Sequence, residues 1–248
     1  MIQNAWYVAR RELGSIFAQP IAYIFSVMLL LIVGLIFSDQ ISFPLISGGP
    51  PATMEPVLGT FSFLMLFASP AITMRLLSEE QQSGTIELLM TLPLRDSEVV
   101  LGKWLAAFIT YLLTVALTLV FPFILIQFGN PDVNIIITGY LGVILWGAGL
   151  LAIGVLGSAM SENQINAFML TFGISLALYL SFVPAGQITG TSALATGFST
   201  LLEELSYKAH LANMLQGLVT VADVLYYLII TVVALFAATR LLESRRWR

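Results

Sequence analysis

The sequence contains no cysteine. That excludes disulfides, thiolate metal sites and cysteine nucleophiles, and it leaves the redox compartment open. Histidine is nearly absent too: His210 is the only one, so a cluster of histidine ligands is excluded. Charge is scarce. Asp, Glu, Lys and Arg make up 10% of the 248 residues, against roughly 25% in ordinary soluble domains. Hydrophobic residues make up 58% and the mean hydropathy is +0.93. A chain this apolar cannot enclose its hydrophobic residues in a soluble core, so lipid is the expected solvent. The net charge of −4 says less than the placement of the charges.

Several kinds of chemistry lack their residues. The apolar run after Arg10 and Arg11 ends in FSDQ, without a small-x-small cleavage site, so no signal peptide is read there. The only Gly-Lys pair, Gly102-Lys103, has Ser97 where a P-loop needs its first glycine and Trp104 after the lysine, so any nucleotide energy is expected from a separate protein. Pumps and ion-coupled carriers place ionisable groups within the bilayer. Here Arg75, Glu162, Asp223 and Arg240 fall at the ends of apolar runs, and Asp223 reads as the N-cap of the last one. Gly173-Ile174-Ser175 resembles a serine-protease fragment, but it has no basic partner at that depth and reads as packing. Gly142, Gly147, Gly149, Gly154 and Gly157 read as a close helix–helix contact through small residues. No cofactor, metal or nucleic-acid partner is expected.

Six stretches are long and apolar enough to span a bilayer, near residues 21–37, 57–77, 104–128, 135–160, 165–183 and 224–240. With the N-terminus inside, the inner side holds Arg10, Arg11, Arg75, Arg95, Lys103, Arg240, Arg245, Arg246 and Arg248, and the outer side holds Lys208 alone. That asymmetry places both termini in the cytoplasm. Residues 79–103 cannot form a further span. They carry Glu79, Glu80, Glu87, Arg95, Asp96, Glu98 and Lys103. Each Asp, Lys or Arg at a helix centre costs roughly 2.5–3.5 kcal/mol, while each Leu or Ile returns about 0.3–0.6.

Three segments outside the spans show helical patterning. In 1–19, Ile2, Trp6, Ala9, Leu13, Ile16 and Phe17 share one face and Arg10, Arg11 and Glu12 fall largely elsewhere, as in an amphipathic helix on the inner surface that ends near Pro20. In the outer loop, 201–216 repeats the pattern through Leu201, Leu205, Ala212 and Leu215, and it is expected at the outer surface or dipping into the bilayer. The third segment is EEQQSGTIELLMTLP, residues 79–93. Ser83 can cap a helix, Gly84 permits close approach, Glu87 suits the positive helix end, and Ile86, Leu89, Met90 and Leu92 give an apolar side stopped by Pro93. Asp96 can cap the following helix. An apolar side exposed at a polar face calls for a protein that covers it.

TMRLLSEEQQSGTIELLMTLPLRDSEVVLGKW resembles the signature loop of type-2 ABC transporter permeases, with the gliding-motility-associated branch the nearest in pattern. QPIAYIF, GYLGVILWGAGLLAIGVLGSAMSENQINAF and the ending GLVTVADVLYYLIITVVALFAATRLLESRRW extend the likeness over nearly the whole chain. The resemblance implies an all-α polytopic membrane protein with one transmembrane domain over 1–248. That domain would comprise six transmembrane helices, an N-terminal interfacial helix (1–19), a cytoplasmic coupling loop (78–98), and an extracytoplasmic loop with short re-entrant helices (184–220). It also implies a second permease subunit and two copies of a cytoplasmic ATPase docked on the coupling helix. Carried onto this chain, the coupling residues are Glu79, Glu80, Ser83, Gly84, Thr85, Glu87, Leu89 and Pro93, with Gly102 and Lys103 on the return. The expected function is that of a non-catalytic exporter subunit; the alternative is a membrane scaffold that passes ATP-driven motion to another machine.

Because the chain has no native cysteine, single-cysteine probes report topology without background. Cysteine at Ser47 or Ser206 is expected to react with an impermeant reagent from outside, and at Ser83 or Ser244 only after permeabilisation. Labelling of Ser83 in intact cells overturns the N-inside topology.

Overall fold

The computed structural model describes residues 2–47, 52–85, 94–129, 131–181, 197, 200–202 and 204–245. Among them ten helices are defined and no strand: α1 (Ile2–Ala18), α2 (Pro20–Ser47), α3 (Glu55–Thr73), α4 (Ser78–Gln82), α5 (Asp96–Thr118), α6 (Val120–Phe128), α7 (Val133–Met160), α8 (Gln164–Leu180), α9 (Tyr207–Leu215) and α10 (Val221–Arg245). Five helical stretches are long and apolar enough to cross a membrane: Ala22–Ser42, Glu55–Gln82, Asp96–Phe128, Val133–Met160 and Val221–Arg245. The expected fifth span is defined only over α8. Its 17 residues rise about 25 Å, short of the roughly 30 Å hydrocarbon core.

Local chemistry sets the boundaries. Pro20 starts α2 at a position where its missing N–H costs nothing. Asp132 accepts the Asn134 amide at 2.8 Å to open α7, and Asn163 accepts that of Ile165 at 2.8 Å to open α8. The cap of α5 is Arg95 rather than Asp96, and Glu98 reaches back to accept the Arg95 amide at 3.0 Å. Asp223 likewise lies inside the first turn of α10, not at its cap. Thr220 caps instead: its Oγ1 accepts the Asp223 amide at 3.2 Å, while Asp223 Oδ2 accepts from Thr220 N at 3.3 Å and Thr220 Oγ1 at 2.7 Å. This is a reciprocal capping box.

The expected third span is two helices, α5 and α6, that meet at Leu119. Pro122 cannot donate to the Thr118 carbonyl four residues earlier. Tyr140 of α7 makes good the loss, its hydroxyl donating to Thr118 O at 3.0 Å. In hydrocarbon an unpaired carbonyl costs several kcal/mol, so the proline and the tyrosine act as one unit.

The glycines of α7 do what the sequence implies: they bring other helices close. A Cβ at Gly147 would lie 2.1 Å from the Tyr111 ring of α5, at Gly149 2.1 Å from Tyr207 Oη, at Gly154 2.1 Å from Thr73 Oγ1 of α3, and at Gly157 2.2 Å from Thr171 Oγ1 of α8. α7 is therefore the most enclosed of the spanning helices and α2 the least.

α9 departs from the expected pattern. It lies along the first half of α7, with Leu215 against Gly139, Met214 against Gly142 and Tyr207 against Gly149. Tyr207, Leu211, Met214 and Leu215 are buried, whereas Leu201 and Leu205, expected on the same face, are exposed. The Tyr207 hydroxyl donates to Trp146 O at 2.8 Å and the Tyr227 hydroxyl to Tyr207 O at 2.8 Å. Ser206 is fully buried as the cap of α9, its Oγ accepting from Ala209 N at 3.2 Å. A cysteine there cannot serve as an outside probe; Val219, which is exposed, replaces it. Of the 184–220 segment, residues 184–196, 198, 199 and 203 lie outside the described residues.

Gly147→Ala forces a contact no Cβ can hold, and overpacking of this kind costs about 1–3 kcal/mol. Gly173, with nothing within 4 Å of its Cβ direction, is the control: Gly173→Ala is expected to be neutral or stabilising by about 0.5–1 kcal/mol. Thermal unfolding of the purified chain measures both, and equal midpoints for the two variants contradict the close-contact role of α7.

Candidate coupling site at the charged end of the bundle

α1 is pressed onto α5. A Cβ at Gly102 would lie 2.6 Å from Val8 Cβ and 2.7 Å from Ala5 O, so glycine is needed for the helices to approach this closely. Ala5, Ala9 and Glu12 form the buried face of α1, while Trp6, Arg10 and Phe17 are exposed. The expected apolar face thus turns its large rings away from the protein. Glu12, expected off that face, points inward because a cation waits there.

That cation is Lys103, one residue beyond Gly102 and only 1% exposed. Its Nζ lies 3.0 Å from Glu12 Oε1 and 3.0 Å from Glu80 Oε1. Arg11 Nη2 reaches the same two oxygens, at 3.3 and 3.0 Å. Two cations and two carboxylates alternate in a ring drawn from α1, α4 and α5. Removing one member of a buried pair costs about 3–5 kcal/mol, because the survivor is left charged and unpaired.

The elbow between α3 and α4 is held from its other side by α7. Ser158 Oγ accepts from Leu77 N at 2.9 Å and Ser78 N at 3.0 Å and donates to Met74 O at 3.1 Å. Gln81 Nε2 donates to Ala159 O at 3.1 Å. Beside it Arg75 Nε meets Glu79 Oε2 at 3.1 Å and the Arg75 guanidinium donates to Gln19 Oε1. The Arg75–Glu79 pair is partly exposed and worth only about 0.3–0.5 kcal/mol. The buried ring around Lys103 therefore dominates.

The residues expected to carry coupling separate into three groups. Glu80, Gly102 and Lys103 meet directly through the ring and the α1 contact, with Glu79 at its rim. Ser83, Gly84 and Thr85 form the turn after α4. Glu87, Leu89 and Pro93 lie in 86–93, outside the described residues. Ser83 is the C-cap of α4, its hydroxyl donating to Glu79 O at 2.8 Å and pairing with Thr85 Oγ1 at 2.8 Å; the helix it is expected to open falls outside the described residues. Gly84 has φ +72° and open space around its Cβ direction. Its left-handed turn suits glycine, and no atom of this chain crowds the side where a partner would approach.

Sequence reasoning missed the participation of Arg11, Glu12, Gln81 and Ser158. The signal available was two acids and two bases flanking apolar runs in a chain so poor in charge. It also missed His210, whose Nδ1 lies 2.7 Å from Asp223 Oδ1 and whose Nε2 lies 3.1 Å from Glu204 O. With both nitrogens so engaged, His210 gives no base to Ser175, whose buried hydroxyl has no hydrogen-bond partner.

Lys103→Met is expected to destabilise the chain by about 3–5 kcal/mol, and Arg240→Gln, which breaks an exposed pair with Glu243, by less than about 1 kcal/mol. Thermal unfolding reads both, and limited proteolysis reads the release of α1. An α1 as protected in Lys103→Met as in the native chain contradicts the ring as its anchor.

No curated protein matches the sequence. The profile of the ABC-2 family transporter proteins matches residues 6–247, nearly the whole chain. With five helices among the described residues long and apolar enough to cross a membrane, the chain belongs to this family, as the multi-pass transmembrane permease of an ABC transporter.

Proposed function

We propose that this permease is the subunit of an ATP-driven exporter that converts motion of a separate cytoplasmic ATPase into rearrangement of the bundle. ABC-2 permeases work with an ATPase and as dimers; the finer reading is two ATPase copies and a second permease, identical or different. The chain is read with six spans, α8 completing the set, and with both termini in the cytoplasm of a bacterial inner membrane. The outer segment around α9 is read as re-entrant. The likeness to the gliding-motility-associated branch rests on residue pattern alone.

The observation that carries the coupling reading is the ring of Arg11, Glu12, Glu80 and Lys103. It ends three residues before Ser83, where the docking stretch begins. A displacement of 83–93 meets no slack: through Glu80 it moves α1 and α5, and through Gln81 and Ser158 it moves α7. Glu80 Oε2 and Gln81 Oε1 are buried without a partner of their own, so the elbow holds two acceptors that a rearranged state can satisfy.

The turn at Gly84 supplies a clean test. Gly84→Asn tolerates positive φ and is expected to keep assembly and transport; Gly84→Trp adds bulk and about 1–2 kcal/mol of backbone strain. Glu87→Lys puts a cation near the positive end of the expected helix, reversing an effect of about 0.3–1 kcal/mol. Normal membrane abundance is expected in all three. Gly84→Trp and Glu87→Lys should lose ATPase co-purification, or retain it with hydrolysis uncoupled from transport in sealed vesicles. Full assembly and full ATP-driven activity in both would sink the coupling assignment. Nucleotide-driven conformational change without transport of any solute would favour the scaffold reading.

A further inference from the structure

We infer that the seam between α2 and α3 binds one phospholipid of the cytoplasmic leaflet, with preference for an amine-bearing, zwitterionic head group. At its charged end the seam opens into a cleft lined by Glu12, Gln19, Ala22, Ala71, Arg75 and Glu79. Further along lies an apolar cavity of about 300 Å³ walled by Phe25, Leu29, Leu64, Phe67, Ala68 and Phe168. The two follow one another on the same two helices. From Ala22 to Phe25 and Leu29 is one to two turns of α2, and from Ala71 to Ala68 and Leu64 is one to two turns of α3. Leu29 and Ala68 are buried as the floor, and Met28 and Phe67 stand exposed at the rim.

Length decides between occupants. Arg75 and Leu64 are eleven residues apart in the sequence, about 16 Å of helix. Half a hydrocarbon core is about 15 Å. A polar end and an apolar end at that separation fit the head group and chains of a lipid in one leaflet, and lipid chains are the bulk apolar material available at that depth. Charge decides the head group. Arg75 is held by Glu79 through Nε and by Gln19 through Nη1, a fixed fork whose remaining terminal nitrogen suits a phosphate oxygen. The surrounding charges cancel: Arg11 and Lys103 against Glu12 and Glu80, and Arg75 against Glu79. A net anionic lipid would add an uncompensated charge, while a zwitterion adds none. A primary ammonium can also donate to the Glu79 oxygen that Arg75 leaves open, and a quaternary ammonium cannot.

This inference rests on the reading that puts the Arg75 end at the cytoplasmic face, and not on ATP coupling. Its test therefore uses the isolated permease, without ATPase or nucleotide. The cysteine-free chain carries a bimane at Met28→Cys or, as a lipid-facing control on α10, at Val233→Cys. Each is titrated in detergent with acyl-brominated phosphatidylethanolamine, phosphatidylglycerol or phosphatidylcholine of matched chains. At Met28 phosphatidylethanolamine is expected to quench with a half-saturation about tenfold below that of phosphatidylglycerol, the scale of one charged hydrogen bond. Phosphatidylcholine is expected between them, and no ranking at Val233. Arg75→Gln is expected to raise the phosphatidylethanolamine half-saturation about tenfold, and Arg75→Lys, which keeps charge without the fork, to fall between. Should Arg75→Gln not elute as a single species, Arg75→Lys decides. Equal half-saturation for the three lipids at Met28, the same ranking at Val233, or no effect of either Arg75 variant overturns the site and leaves only annular lipid. Loss of quenching in a dimeric fraction alone overturns it in favour of a second copy covering the seam. Labelling of the Ser83 probe from outside would move the site to the other leaflet without abolishing it.

Discussion

An ammonium group with almost no access to water is stable only where carboxylates replace its hydration, and Lys103 finds two of them 3.0 Å away. The charged end of the molecule is organised around that requirement. Glu12 must face inward, which fixes the rotation of α1. Glu80 must reach the same point, which fixes the short α4 against the foot of α5. Gly102 must lack a side chain so that α1 can come close enough for Glu12 to arrive. Arg11, outside the ring's centre, supplies the second positive charge that two buried carboxylates need. The same ring would be of doubtful net stability as a replacement for apolar packing, so its value lies in what it specifies: one position of the elbow relative to three helices.

Deeper in the bundle, hydrocarbon imposes the matching constraint on the backbone. Where the chain interrupts its own hydrogen bonding, another helix supplies the partner: Tyr140 for the carbonyl freed by Pro122, and Ser158 for the amides of Leu77 and Ser78 where α3 gives way to α4. α7 supplies both donor and acceptor, and its glycines bring it near enough to do so. Glycine adds no stiffness of its own to a helix, so what these residues supply is contact: several helices held against one.

The fold class and the close contacts of α7 were legible because composition and small-residue spacing are local signals. What stayed hidden was whatever depends on two distant segments meeting. Glu12 falls off the apolar face by periodicity, yet it is buried because Lys103 is beside it. His210 looked like a loop residue until Asp223 stood 2.7 Å away. Neither Asp96 nor Asp223 is the cap, because an acid in the first turn suits the helix end equally at the cap, one residue inside it as at Asp96, or three as at Asp223.

Two buried polar contacts lie apart in the bundle, the ring by Lys103 and the His210–Asp223 pair that ties α9 to the first turn of α10. α7 touches both: Ser158 holds the elbow near its one end, and Gly149 receives Tyr207, three residues before His210, nearer its middle. A single helix thus touches both the element expected to meet the ATPase and the element packed at the opposite half of the bundle. Any displacement of α7 as a unit would alter both contacts at once. Thr171 of α8 packs on Gly157, and its buried hydroxyl has no hydrogen-bond partner among the described residues. That contact is held by packing alone, so a shift there breaks no hydrogen bond.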